Sequence, residues 1–216
     1  MRISLIFIST ALLGFIFLGF CQNALAKEIT PIATEEAKLS YLGKSLIHPA
    51  QPLYFLKRIR EILELKFAPT SEIQAIRYLE FSQRRIREVR SLKEAGRPDL
   101  IPPALEHYLF NLQKATALTD FKNEAKVRQL EDAVSLHLKV LGGISQRSVR
   151  TTIFKLSEWN RDFQARLTPE IRDALYDDLS KLQGKICDFL IKEASNSGLN
   201  EVEIAVYQER AEACLR

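Results

Sequence analysis

The stretch that decides the fold is 51-QPLYFLKRIREILELKF-67. Pro52 follows a polar residue and precedes apolar positions that recur every three or four residues, which is typical of an amphipathic helix with proline in its first turn. We predict a helix that begins near Pro52, buries its apolar side and exposes its charged side. Lys57 and Glu61 then form a solvated surface pair. The apolar positions are Leu53, Phe55, Leu56, Ile59, Ile62, Leu63 and Phe67.

The N-terminus has the pattern of a secretory leader. Arg2 precedes an apolar run at residues 3–20, and a small-residue pattern of the cleavage type ends at Ala26. We predict a signal peptide at residues 1–26, cleaved after Ala26, and a secreted or periplasmic protein. Since the run, at roughly 18 residues, also reaches the lower limit for crossing a bilayer, an uncleaved segment that anchors the chain in the cytoplasmic membrane is the alternative.

The rest of the chain reads as helices only. Residues 27–50 form a flexible lead-in, and residues 51–216 form a helical domain that can divide into sub-bundles at 51–118 and 119–216. Helix starts and ends are marked by capping residues, prolines and glycines, and short loops join long helices. This predicts an all-α, antiparallel bundle or array of six or seven helices. Marked starts are Ser71 with Gln74, Pro102 with Pro103, Thr168 with Pro169, and Asn200 with Glu203.

Two of the predicted helices have patterns that also suit another interpretation. One helix carries apolar residues at alternating spacings of four and three, a heptad seam that also suits a coiled coil, and we favour a globular bundle. Its members are Val149, Ile153, Leu156, Asn160, Phe163 and Leu167. The other, after Ser71, is rich in basic residues such as Arg84 and Arg85, and we interpret these as a solvated face rather than an anionic-polymer site.

The charge and the cysteine content limit which partners and which cellular compartment the sequence suits. The chain has 31 Lys and Arg against 27 Asp and Glu, an excess too small to indicate a nucleic-acid partner. Without the leader, only Cys187 and Cys214 remain, in a compartment that permits disulfides. Straight antiparallel helices would offset them by about 9 Å along the axis, so a disulfide needs a bend or a late helix start. The alternative is two buried thiols.

No pattern for catalysis or cofactor binding is present. His48, His107 and His137 lie on different segments without a matching acidic or histidine partner at helical spacing, so we expect no metal site. Nucleophile-elbow and phosphate-loop motifs are absent from the sequence, and we expect no cofactor and no catalytic residue. We therefore predict that the protein is not an enzyme.

Several segments resemble a family of bacterial extracytoplasmic proteins, domain of unknown function 5667. Its P-L-Y-x-L-K-R-x-x-E opening is similar to PLYFLKRIRE at residues 52–61, and LEFSQRRIREVR at 79–90 resembles its next helix. Residues 94–108 and 135–141 continue the resemblance, which fades beyond Ile144. The family implies an exported or tethered helical domain with no established activity. The positions that the resemblance marks, as structural or interaction residues, are Pro52, Leu53, Tyr54, Lys57, Arg58, Arg84 and Arg85.

The sequence thus favours an exported, non-catalytic interaction or structural module of the bacterial envelope, with an envelope protein or polymer as its partner. The alternative is a membrane-tethered envelope sensor or regulator that reads an ion through His137, or a redox state through Cys187 and Cys214.

Overall fold

A computed structural model describes residues 43–195 and 198–215 of the 216-residue chain. Within these residues the chain folds into eight α-helices and one 3-10 turn, without a strand, so the predicted all-α class is confirmed. None of the described helices is both long and apolar enough to cross a bilayer. The predicted leader and its cleavage after Ala26 lie outside the described residues.

The helices are numbered in chain order. Their bounds are α1 Tyr54–Lys66, α2 Ser71–Glu94, the 3-10 turn Pro98–Leu100, α3 Ile101–Leu118, α4 Glu124–Gly142, α5 Arg147–Ala165, α6 Pro169–Ala174, α7 Tyr176–Ala194 and α8 Glu201–Leu215.

Five helices close a ring around one core. Helix α2 packs on α3, α3 on α5, α5 on α7, α7 on α4, and α4 back on α2, with the α2–α3 interface the most extensive. Their inward positions are fully buried and apolar, for example Ile86, Leu112, Leu130, Ile153 and Ile186. Helix α1 attaches to the outside of α2, and α8 attaches to α7. The described residues belong to one compact unit.

The helix ends follow the sequence signals closely. The Thr70 hydroxyl accepts a hydrogen bond from the Ile73 amide at 3.2 Å, so the N-cap of α2 is Thr70, one residue before the expected Ser71. Gly96 ends α2 with a positive φ of 65°, which lets the Arg97 amide bond the Leu92 carbonyl at 2.9 Å.

The predicted capping box before α8 is confirmed. The Glu203 amide donates to Asn200 Oδ1 at 2.8 Å, and the Asn200 amide donates to a Glu203 carboxylate oxygen at 3.1 Å.

The segment after Thr168 differs from its prediction. The apolar spacing after Thr168 and Pro169 predicts one continuous helix to about Ser195, but the structure has the short α6 and then α7, separated at Leu175. Leu175 leaves helical geometry, with φ −109° and ψ 10°, yet it is 1% exposed. Because no glycine or proline lies at this break, the sequence carries no local signal for it.

The heptad seam of α5 faces the interior. Its members Val149, Ile153, Leu156, Asn160 and Phe163 are at most 1% exposed, and Leu167 is buried just after the helix. Asn160 donates its side-chain amide to Gln183 of α7, and Trp159 stacks on Phe163 with ring centroids 4.8 Å apart. The seam therefore serves packing within the bundle.

Part of the expected lead-in lies against the domain. The Ser45 amide donates to Ser91 Oγ of α2 at 2.8 Å, and Lys57 Nζ donates to the Ile47 carbonyl at 3.0 Å. Lys44 also pairs with Glu94 at 2.9 Å. The segment from residue 43 to α1 is thus held beside the C-terminal half of α2.

Candidate functional site

A buried ionic network attaches α1 to α2. Tyr54, Lys57 and Glu61 follow one another at spacings of three and four residues, so they share one face of α1. Arg85 and Glu88 lie three residues apart on α2, and their side chains are 0% exposed. The Glu61 side chain is 3% exposed. The polar face of α1 is therefore the face that contacts the domain.

Arg85 is the centre of this network. Its guanidinium bonds Glu88 at 2.9 Å and also contacts the carboxylate of Glu61 and the hydroxyl of Tyr54. Lys57 Nζ bonds the other Glu88 oxygen at 2.5 Å, and the Tyr54 hydroxyl lies 3.2 Å from Glu88. Two cations and two carboxylates are thus paired across the helix interface, with a tyrosine between them.

Four more charged side chains surround this centre. Arg58 bonds Glu61 at 2.9 Å from within α1. Arg84 of α2 forms an ion pair with Glu64 at 3.1 Å, and Arg60 forms a second ion pair with Glu64 at 2.9 Å. The outer pairs are more exposed than the centre, so they contribute less each, but they complete the neutralisation of both α1 carboxylates.

The buried environment of the network shifts the pKa values of Tyr54 and Lys57. Burial raises the pKa of Tyr54, and the neighbouring Glu88 acts in the same direction. Burial lowers the pKa of Lys57, while Glu88 opposes the change. The phenol stays protonated and can donate to a carboxylate. A set of buried charges that satisfy one another in this way acts as a specific attachment, since breaking one pair leaves another charge uncompensated.

The prediction that α1 buries its apolar stripe is wrong. Exposure along this face runs from 36% at Leu63 to 75% at Phe67, and Glu61 is the buried residue of α1. The interpretation of Lys57 and Glu61 as a solvated pair is also wrong, because each binds a charge on α2 instead. The buried face of α2 carries Arg85 and Glu88, and leaving these charges unpaired costs more than an exposed apolar helix face does.

The expectation of a solvated basic face on α2 fails for the same reason. Arg85 is fully buried and Arg84 is 18% exposed at its side chain. Both turn toward α1 and bind its carboxylates.

An open groove follows the edge of α1 where it meets α2 and α3. Apolar side chains line most of it, including Ile62 and Leu65 of α1, Phe81 of α2 and Phe110 of α3. Its volume is about 350 Å³. Asn111 lies on its floor at 5% exposure, and the Asn111 Nδ2 has no acceptor within the described part of the chain. The groove extends the exposed apolar face of α1 onto α3.

A second buried polar pair lies inside the ring of helices. His137 Nδ1 of α4 is 3.3 Å from the Tyr108 hydroxyl of α3, and the two rings meet edge to face. Both residues are 0% exposed. Burial lowers the pKa of His137 to about 3, and the charge of Arg87 acts in the same direction. The imidazole is thus neutral and structural at neutral pH.

The buried imidazole predicts a pH dependence of stability. The unfolded chain binds a proton at His137 near the ordinary pKa of 6.5, whereas the folded chain does so near 3. Between these values the unfolded state holds more protons, so the free energy of unfolding falls as pH decreases from 6.5, by at most about 1.4 kcal/mol per pH unit.

The free energy of unfolding is measured by urea unfolding at about pH 7, 6, 5 and 4. The natural chain and His137→Leu are compared at each pH. Subtracting the two curves removes the carboxylate contributions that both proteins share. Equal pH slopes in the two proteins would contradict the assignment.

A disulfide joins α7 to α8. Cys187 and Cys214 are bonded, with their Cα atoms 5.7 Å apart. The expected axial offset of about 9 Å is absorbed because the connection between Ala194 and Glu201 has six residues, a reach of about 20 Å when extended. The Gln183 side chain also donates to the Cys214 carbonyl at 3.2 Å. The end of α8 is therefore fixed beside the middle of α7.

The marked residues divide between two places. Tyr54, Lys57, Arg58, Arg84 and Arg85 come together in the ionic network. Pro52 and Leu53 lie in the turn before α1, outside the network, and Leu53 is 57% exposed.

Sequence reasoning missed the two carboxylates that complete the network. Glu61 and Glu88 lie at the spacings of ordinary surface pairs, so the sequence signal does not separate a buried network from a solvated face. A signal was present, because Glu61 is the acid that ends the P-L-Y-x-L-K-R-x-x-E opening, and Glu88 lies within the family-like LEFSQRRIREVR segment.

Other site classes find no support among the described side chains. Nowhere in residues 43–195 and 198–215 do three or more His, Cys, Asp or Glu side chains form a group that suits a metal ion. His107 lines the apolar groove, whereas His137 lies in the core against Tyr108.

Comparison with known proteins gives one match. The family model described as domain of unknown function 5667 matches residues 46–145, a span that begins before α1 and ends just after α4. No curated protein and no solved structure matches the chain.

Proposed function

We propose that this chain, which belongs to the family of domain of unknown function 5667 through residues 46–145, is an exported, non-catalytic binding module of the bacterial envelope. The observation that carries the proposal is the orientation of α1. Tyr54, Lys57 and Glu61 attach the helix to α2, and its apolar side chains are held outward. A soluble domain seldom keeps a contiguous apolar face exposed unless another surface covers it.

Two further features support export. The N-terminal sequence has the basic residue, apolar run and small residues of a leader. The Cys187–Cys214 disulfide suits an oxidising compartment, because cytosolic thiols are kept reduced. A non-catalytic role is supported by the buried carboxylates, since Glu61 and Glu88 are both bound by cations and neither is available to a substrate.

The test is site-specific photo-crosslinking in the native host. The full chain carries the photoreactive residue p-benzoylphenylalanine at Ile59, which is 49% exposed on the apolar face of α1, or at Tyr176, which is 67% exposed on α7. We expect crosslinked adducts from position 59 and none from position 176. Adducts at neither position, or the same adducts at both, would contradict a binding role for α1.

The disulfide favours a second candidate, a tethered envelope sensor that responds to redox state. The observation that favours this candidate is that α8 has few buried side chains. They are Tyr207 and Ala211, and Cys214 is half-buried. Reduction would then remove the covalent link between α8 and α7. If crosslinking from position 59 is the same in oxidised and reduced cells, this candidate fails and the binding module stands.

A further inference from the structure

We propose that the exposed face of α1 docks on an anionic lipid bilayer, with α1 lying in the plane of the membrane surface. The proposal rests on the binding role proposed above and names the partner of that same face. It is argued from the order of side chains around α1, from the fixation of the helix, and from the charges at the edges of the face.

The apolar and basic side chains of α1 are distributed around the helix as in a helix that lies at a membrane interface. Successive residues are about 100° apart around a helix, so Arg58 and Arg60 lie on either side of Ile59, the centre of the apolar face. Lys66 lies below Ile59 at the C-terminal end. An apolar centre with basic residues at its edges places the apolar side chains in the acyl boundary and the cations at the phosphates. Phe110 of α3 extends the same surface.

The ionic network prevents this helix from turning its apolar face inward. Rotation of α1 about its axis would take Glu61 away from Arg85 and Lys57 away from Glu88, and would leave the 0% exposed Arg85 and Glu88 without those partners. The apolar face is therefore a permanent feature of the folded surface. Most surface helices reverse this arrangement and place their charged side chains outward.

The charges of α1 favour phospholipid over a second copy of the chain. Glu61 and Glu64, the two acids of α1, are both bound to arginines of α2. The exposed edges carry Arg60 and Lys66, with Arg60 61% exposed. In a symmetric pair these basic edges would face one another, and Glu64, the α1 acid beside Arg60, is already paired with Arg60 and Arg84. An anionic bilayer instead offers a phosphate to each cation.

The chain on the N-terminal side of α1 brings it close to a membrane. The apolar run at residues 3–20 ends 22 residues before Gly43, a distance of roughly 75 Å at most when extended. If the leader is retained, it and α1 supply two membrane contacts in one chain, as stable attachment requires. If the leader is cleaved, α1 supplies a reversible contact. Leu46, 89% exposed in the segment before α1, is a further exposed apolar side chain on this side of the helix in sequence.

The test uses fluorescence quenching in the full chain. Trp159→Phe removes the single tryptophan, and Ile59→Trp then places the reporter on α1, or Tyr176→Trp places it on α7 as the matched control. Both proteins are reconstituted in phosphatidylcholine vesicles with or without about one quarter phosphatidylglycerol. Brominated lipids quench from within the bilayer, and acrylamide quenches from water. Circular dichroism confirms that each variant keeps the natural helix content.

We expect brominated lipid to quench position 59 and not position 176, with stronger quenching when phosphatidylglycerol is present. Leu56→Ser with Leu63→Ser in the Ile59→Trp chain should cut the bilayer-inserted fraction roughly tenfold, because less apolar surface is removed from water. Quenching by acrylamide alone at both positions overturns the proposal. Protection of position 59 from both quenchers also overturns it and identifies a protein contact instead.

These outcomes separate this proposal from the binding role on which it rests. If the tryptophan at position 59 is protected from both quenchers in vesicles and position 59 gives protein adducts in cells, a bilayer is not the partner of α1. The binding module then stands with a protein partner. Absence of both protein and lipid adducts from position 59 in cells removes the binding module itself.

Discussion

Replacing Arg85 by methionine is expected to lower the free energy of unfolding by about 3 kcal/mol. The substitution keeps much of the side-chain length and removes the cation that Glu61 and Glu88 share at 0–3% exposure. Lys57 still pairs with Glu88 and Arg58 with Glu61, so we expect the lower end of the range for a broken buried network. Urea unfolding followed by circular dichroism measures the change.

Two variants make this result specific. Arg161→Met removes an arginine that is 66% exposed and pairs only with its neighbour Asp162 in the described structure, and it should change stability by no more than about 0.5 kcal/mol. Arg85→Met combined with Glu61→Leu and Glu88→Leu replaces the network centre by apolar side chains, and it should recover part of the loss. A single Arg85→Met variant as stable as the natural chain would show that the network does not hold α1.

Removing the disulfide is expected to cost about 3.5 kcal/mol in the chain-entropy description for a sequence separation of 27 residues. The variant is Cys187→Ala with Cys214→Ala. Because α8 joins the domain through Tyr207, which meets Phe154 with ring centroids 5.8 Å apart, and through Ala211, we expect its amides to lose protection from hydrogen exchange first. Hydrogen exchange with mass spectrometry resolves α8 from the ring helices.

The natural chain supplies the control for this variant. Reductant should bring the natural chain to the stability of the double variant and leave the double variant unchanged. A double variant that matches the oxidised natural chain would mean that the disulfide adds nothing to the fold.

Hydrophobic periodicity predicted some parts of this fold correctly and failed on others. Periodicity located the helices and the buried seam of α5, because apolar side chains at spacings of three and four must share a face. The same signal failed on α1, since periodicity states which residues share a face but not which face the domain needs. On α1 that choice was made by Arg85 and Glu88, which lie on another helix, and no single-helix pattern contains that information.

The break at Leu175 was missed, and the disulfide was left open between two alternatives, for a related reason. Leu175 is apolar and buried, and its neighbours carry no helix-breaking residue, so tertiary packing alone sets the change of direction. The cysteine spacing was judged on straight rods, whereas the connection before α8 is long enough to reset the helix start. Conversely, the capping box of Asn200 and Glu203 was predictable because capping is a contact between near neighbours.

The closed ring of helices has a consequence for where this protein can be divided. The family match ends at residue 145, after α4, yet the ring is completed by α5 and α7. A polypeptide cut at that boundary would leave the core-facing side chains of α3 and α4 without their partners, Leu112 and Leu130 among them. In this chain, then, the family match ends inside the ring of helices that buries the core, and we expect a fragment that stops at residue 145 to be less stable than the whole helical domain.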